Sequence, residues 1–78
     1  MDHNNRGVAH RNLSRPKQAM SDFDEAIRLD PFYAEAFNNR GNLHINFGKY
    51  ARACDDFQNA CELGDCANLK FAKKNRDC

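Results

Sequence analysis

The sequence has no excess of charge of one sign and no long apolar run. Its 78 residues include 12 Lys and Arg against 11 Asp and Glu, which leaves a formal net charge of +1. This balance does not favour nucleic acid or an acidic lipid surface as a partner. The longest apolar runs contain two or three residues, whereas a transmembrane helix needs about 20. We therefore expect neither nucleic-acid binding nor membrane insertion.

Motifs for catalysis and for metal or cofactor binding are also missing. The sequence contains no Gly-rich phosphate loop, no H-E-x-x-H and no recognisable Ser–His–Asp or Cys–His set. Its four cysteines follow the spacing C-x6-C-x4-C-x11-C, without the C-x2-C pair that usually begins a zinc site. We predict that the protein is not an enzyme and that it uses no cofactor and no metal.

The cysteines and the N-terminus bear on the cellular compartment. Cys54, Cys61, Cys66 and Cys78 all lie in the last third of the chain, whereas a small secreted scaffold would spread its disulfides over both halves. We therefore expect reduced, mostly buried thiols that act as small apolar residues. In a helix, Cys66 and Cys78 would lie roughly 18 Å apart, too far for a disulfide. Residues 1–7 lack the pattern of a signal peptide, so the expected location is cytoplasmic.

A shift of 34 residues aligns the sequence with itself. The stretch HNNRGVAHRN, residues 3–12, returns as FNNRGNLHIN, residues 37–46, and residues 4–29 match residues 38–63 at eleven identical positions. The identical pairs are Asn4/Asn38, Asn5/Asn39, Arg6/Arg40, Gly7/Gly41, His10/His44, Asn12/Asn46, Ala19/Ala53, Asp22/Asp56, Phe23/Phe57, Ala26/Ala60 and Leu29/Leu63. A fixed period of this length predicts a duplicated structural unit.

Each unit contains the signals of two helices. Pro16 suits the first turn of a helix, where its fixed φ and missing N–H are tolerated, and apolar residues follow it with helical spacing at Ala19, Phe23 and Ala26. Pro31 ends that helix, because the residue before a proline disfavours α geometry. Small residues at the repeated positions 7, 19, 41 and 53 would let the paired helices approach closely.

These motifs make the chain resemble the tetratricopeptide repeat family. The motifs that carry the resemblance are NNRG…A…DFDEAIRLDP over residues 4–31 and FNNRG…GKYARACDDFQNACELGD over residues 37–65. The family consists of 34-residue helix-turn-helix units. The resemblance therefore implies an all-α fold, an α-solenoid of two units over residues 1–33 and 34–65. Residues 66–78 are too few for a third unit and predict a capping helix.

The resemblance also implies a protein-interaction module that holds an extended peptide segment of a partner protein in its concave groove. A carboxamide both donates and accepts hydrogen bonds, so the equivalent residues Asn5 and Asn39 would bond a peptide backbone without selecting its side chains. The alternative is that these asparagines are solvated surface residues. The predicted groove residues are Asn4, Asn5, Val8, Arg11, Asn12, Glu35, Asn38, Asn39, Asn42, Ile45 and Asn46.

Three further residues are candidates for an interface. Phe32 and Tyr33 occupy the turn between the units, where the family usually carries small polar residues. An exposed aromatic pair would form an interface, and the alternative is that the pair folds back over the first unit. The carboxylate clamp of chaperone-binding relatives needs Lys and Arg at set groove positions, and only Lys73 and the Asn5 and Asn39 positions are compatible with it.

His10 and His44 recur in phase with the repeat. We predict that they are semi-buried planar side chains in the place of an aromatic residue of the family. A metal site is the alternative, but no third or fourth ligand is evident in the sequence.

A second hypothesis for the function is self-association. About three repeats are needed before stacking gives a stable core, and this chain has two. A homodimer, formed by exchange of a hairpin across the turn near Ser14 or Phe32, would supply the missing surface. A third possibility is that the sequence is an excerpt of a longer repeat array.

Overall fold

Five α-helices follow one another in the computed structural model, which describes residues 2–78. They are α1 (His3–Asn12), α2 (Pro16–Leu29), α3 (Ala34–Asn46), α4 (Tyr50–Glu62) and α5 (Ala67–Lys74). The predicted all-α fold is confirmed. The predicted first unit also includes Met1, which lies outside the described residues. Within residues 2–78, no helix combines the length and the apolarity that crossing a membrane requires.

Local interactions explain where the helices begin and end. The Asp2 carboxylate accepts a hydrogen bond of 2.7 Å from the backbone N–H of Asn5 and so caps α1. Gly48 follows α3 with φ +74°, a left-handed conformation that glycine adopts without steric cost. Ser14 holds the equivalent position after α1 with φ +58°, so both hairpins turn in the same way.

The two helices of each unit cross where a glycine faces a phenylalanine ring. A Cβ atom added to Gly7 would lie 2.6 Å from Cε1 of Phe23, and one added to Gly41 would lie 2.5 Å from Cε1 of Phe57. Both rings are buried, with 0% and 2% exposure, in an interior where close packing resists their displacement. The repeated glycines are therefore required by the close approach of the helices.

Two hydrophobic clusters within the core link successive units. Leu43 of α3 packs into the cluster of the first unit, and Leu69 of α5 packs into that of the second. Each hairpin is thus covered by the first helix that follows it, as expected of a solenoid. The first cluster contains Ala19, Phe23 and Leu43, with Val8 and Met20 against it; the second contains Ala53, Phe57, Leu69 and Ala72, with Ile45 and Cys61 against it.

All four cysteines are paired in disulfides, so the prediction of free thiols is wrong. Cys54 is bonded to Cys78, with a Cα–Cα distance of 5.6 Å, and Cys61 is bonded to Cys66. The first bond ties the last residue to α4, and the second spans the turn between α4 and α5. Both bonds involve residues that flank α5: Cys66 immediately precedes this helix, and Cys78 follows it. Since disulfides persist mainly in oxidising compartments, the thiol argument no longer supports a cytoplasmic location.

Candidate functional site

Most of the predicted groove residues reach the surface of α1 and α3. Those with exposed side chains are Asn5, Asn12, Glu35, Asn42 and Asn46, and those that are half-buried are Val8, Arg11, Asn39 and Ile45. The half-buried Val8 and Ile45 also pack against the two core clusters. The accessible part of this surface is therefore formed mainly by carboxamides.

Asn4 and Asn38 are buried, so the prediction that they line an accessible groove is wrong. Asn4 has 0% exposure: its Nδ2 donates to the Tyr33 hydroxyl at 3.3 Å and its Oδ1 accepts from Nδ2 of Asn39 at 3.0 Å. Asn38 is 6% exposed, and its Oδ1 has no hydrogen-bond partner among residues 2–78. Asn4 and Asn39 thus bond α1 to α3, because their side chains meet where the two helices pack.

Phe32 and Tyr33 point in different directions. Tyr33 is half-buried, and its hydroxyl donates to the Asp2 carboxylate at 3.4 Å while it accepts from Asn4. Burial raises the pKa of the Tyr33 phenol. Tyr33 therefore folds back over the first unit, whereas Phe32 remains 77% exposed. Lys73 is exposed on α5, and its role in an interface stays a prediction.

A small pocket of about 80 Å³ lies between α3 and α5. Phe57 of the second core cluster is part of its lining, and the exposed ring of Phe71 stands at its side. Two of the predicted groove residues of α3, Asn42 and Ile45, therefore lie next to α5. Its lining residues are Asn42, Ile45, Phe57, Asn68, Phe71, Ala72 and Asp77.

Each unit also contains a buried carboxylate held by an arginine. Arg6 donates to the two Asp22 oxygens at 2.7 and 3.1 Å, and Arg40 donates to those of Asp56 at 2.8 and 2.9 Å. Asp22 and Asp56 are only 5% and 3% exposed, so the paired hydrogen bonds replace their lost hydration. Hydrogen bonding to Arg6 holds the pKa of Asp22 below its ordinary value.

The two repeated histidines complete these clusters. Nε2 of His10 lies 3.5 Å from Asp22, and Nε2 of His44 lies 3.6 Å from Asp56. His10 is half-buried, as predicted, while His44 is buried with 9% exposure. Among residues 2–78, no three His, Cys, Asp or Glu side chains are arranged to hold a metal ion. We call the two sets the Arg–Asp–His clusters.

Sequence reasoning missed the Arg–Asp–His clusters, although the signal was present in the repeat. Arg6 and Asp22 are separated by 16 residues, and so are Arg40 and Asp56. An Arg and an Asp that recur in both units at the same spacing indicate an ion pair inside each unit. The repeated charges therefore join the two helices of each hairpin.

We predict that acidification destabilises the fold through His44. Burial lowers the pKa of His44 below its ordinary value near 6.5, so the folded state resists protonation more than the unfolded state does. The stability that neutral His44 contributes is fully present above about pH 6.5 and is lost as the pH falls towards the lowered pKa. Urea unfolding between about pH 7 and about pH 5 should show a smaller loss of stability in His44→Phe than in the wild type.

A substitution of the more exposed His3 serves as the control for this prediction. His3→Gln should retain the wild-type loss of stability on acidification, since the His44 environment is unchanged. Equal pH dependence in the wild type and in His44→Phe would contradict the assignment to His44.

Comparisons with known proteins identify the architecture. Two models with the description tetratricopeptide repeat match residues 3–33 and residues 23–55. No curated protein matches the chain. The matched residues extend from α1 into the first half of α4 and include the first helix crossing and the turn between the units. They confirm the resemblance found in the repeated motifs, and such repeats generally mediate protein–protein interaction. The chain belongs to the tetratricopeptide repeat family, typically a non-enzymatic interaction module.

Proposed function

We propose that the chain binds an extended peptide segment of a partner protein along the surface of α1, α3 and α5. The observation that supports this most directly is the pocket between α3 and α5, beside the exposed carboxamide of Asn42. A recess walled by Ile45 and Phe71 suits one apolar side chain of a peptide. Neighbouring amides suit its backbone, since a carboxamide pairs with both N–H and C=O groups.

Of the two amides that the sequence favours, only that of Asn5 is free. Asn39 already donates to Asn4, so its side chain offers a peptide mainly its oxygen. The side chains of Asn5, Asn42 and Asn46 form no hydrogen bonds within residues 2–78. The proposed contacts to the peptide backbone are therefore made chiefly by these three residues, with Asn39 in a partly structural role.

Selection from a randomised peptide display library, followed by fluorescence anisotropy with a selected peptide, tests the proposal. We expect Asn42→Ala to weaken binding about fivefold, the equivalent of one hydrogen bond of ~1 kcal/mol. We expect Phe71→Ala to weaken it by about tenfold, since the wall of the pocket is lost. Gln18→Ala, an exposed change on α2, should bind as the wild type does.

Circular dichroism of each variant separates loss of binding from loss of folding. Asn42 and Phe71 are exposed, so both variants should keep the wild-type helix content. Selected peptides whose affinity is unchanged by both substitutions would refute the groove.

A further inference from the structure

A second and larger cleft lies between α2 and α4, with a volume of about 760 Å³. Clefts of roughly 300–1,000 Å³ are typical of binding sites. Its floor is supplied by Arg40 and His44 of α3 and by Phe47, the residue that follows α3. The three lie on one side because they are three or four residues apart. Asn42 and Ile45 lie on the opposite face, as the 3.6-residue helical turn requires. The cleft is therefore separate from the proposed groove.

The rim of the cleft carries unpaired cations. It is lined by Lys17 of α2, by Lys49 immediately before α4 and by Arg52 within α4. None of the three forms an ion pair within residues 2–78. Asp55 is the only lining carboxylate that is likewise without an ion pair in this part of the chain. With the paired Arg40, Asp24 and Asp56 included, four cations face three carboxylates in the lining, a formal net charge of +1 that favours an acidic occupant.

The floor of the cleft is partly apolar, and its carboxylates are already paired. Arg40 donates to Asp24 at 3.0 Å and to Asp56 at 2.8 Å, so each of these carboxylates already accepts a hydrogen bond from a cation of the same chain. Met20 and the 42% exposed Phe47 supply the apolar surface. The cleft therefore suits a bulky apolar side chain that is flanked by carboxylates.

The turn between the two units presents such a group. Phe32 is 77% exposed, more than any other large apolar side chain in residues 2–78, and the exposed acids Asp30 and Glu35 flank it. The Asp30 carboxylate accepts from the backbone N–H of Phe32 at 3.1 Å, and Tyr33 anchors the turn to α1. The backbone of the turn at Phe32 is thus held in position before binding, which lowers the entropic cost of association.

We propose that the chain associates head to tail, with residues 29–35 of one copy in the α2–α4 cleft of a second copy. Phe32 packs against Met20 and Phe47 of the neighbour. Its flanking acids then lie near the rim cations, and the two surfaces are complementary in charge and polarity.

The geometry makes this contact intermolecular. Residues 29–35 follow the C-terminal end of α2. Lys17 and Met20 lie before Leu29 on the same helix by roughly 18 and roughly 14 Å at 1.5 Å per residue. When two copies bind, one still has a free cleft and the other still has a free turn. Further copies can add at both ends, so the assembly grows as a linear chain. A contact of one turn in one cleft buries little surface, and the association is weak and depends on concentration.

Sedimentation equilibrium over a wide range of protein concentration tests the proposal. The average mass of the wild type should rise above the 9.0 kDa of one chain as the concentration increases. Phe32→Ser, and separately the double variant Lys49→Glu/Arg52→Glu, should each remain at the mass of one chain. Phe71→Ser, at another exposed phenylalanine, is the matched control and should associate like the wild type. All four positions are exposed, so the variants should fold normally.

A mixing experiment distinguishes head-to-tail from symmetric association. Phe32→Ser keeps an intact cleft and Lys49→Glu/Arg52→Glu keeps an intact turn, so the mixture should form a complex of one copy of each that grows no further. A wild-type chain that stays monomeric, or a mixture that does not pair, would overturn the proposal. If the monomeric chain instead bound a labelled synthetic peptide of residues 27–36, the cleft would belong to an acidic segment of another protein. Peptide binding in the groove is measured independently and does not depend on either result.

Discussion

Phe57→Ala should lower the free energy of unfolding by about 3–5 kcal/mol. Phe57 is 2% exposed and packs with Ala53, Leu69 and Ala72 in the core of the second unit. Its ring also fills the space that the absent side chain of Gly41 leaves open. A domain of this length has a total stability of roughly 4–12 kcal/mol, so the cavity removes a large share of it. Urea unfolding followed by circular dichroism measures the change.

An exposed phenylalanine supplies the matched control. Phe32→Ala, at a side chain with 77% exposure, should change the free energy of unfolding by about 0.5 kcal/mol or less in dilute solution. Similar losses in the two variants would contradict the assignment of Phe57 to the core. A variant that lost no helix content but bound the fluorescent dye ANS would indicate a loosened second unit.

Replacing Cys54 and Cys78 with serine should cost about 3.5 kcal/mol, from the entropy of closing a loop of this length. The two residues are 24 positions apart, and their bond ties the end of the chain to α4. Without it, the unfolded chain gains freedom, and Leu69 and Ala72 of α5 are held against the core only by packing and by the second disulfide. Reversible unfolding without reductant measures this loss.

The second disulfide provides a comparison within the same chain. Cys61 and Cys66 are only 5 positions apart, so their replacement should cost about 2 kcal/mol by the same relation. Reductant should destabilise the wild type by more than either pair of substitutions does. A wild-type chain that unfolds identically with and without reductant, or that reacts fully with a thiol-modifying reagent when folded, would contradict both disulfides.

Local signals were sufficient to predict the helices and the repeat. Pro16 begins α2 and Pro31 lies in the turn after it, because proline restricts its own φ and the conformation of the residue before it. The identities of Gly7 with Gly41 and of Phe23 with Phe57 indicated the two helix crossings. Such signals act within a few residues or recur at a fixed period, so they can be read without knowing how the helices pack.

Side-chain partners across the helices could not be predicted in this way. Asn4 and Asn5 are adjacent and equally polar, yet Asn4 is buried against Asn39 and Tyr33 while Asn5 is exposed. Phe32 and Tyr33 are likewise neighbours with opposite environments. The difference arises because only one face of a helix, or one side of a turn, meets the next element.

The sequence by itself determined the family, the two units and the position of the capping helix, because the 34-residue period and the helix-ending residues are properties of the chain. Only the tertiary structure decided which asparagines are accessible, how the four cysteines pair, and that the repeated Arg, Asp and His form one cluster in each unit. These outcomes depend on distances between helices. Such distances follow from the packing of Phe23 and Phe57 against the glycines opposite them, which no linear spacing records.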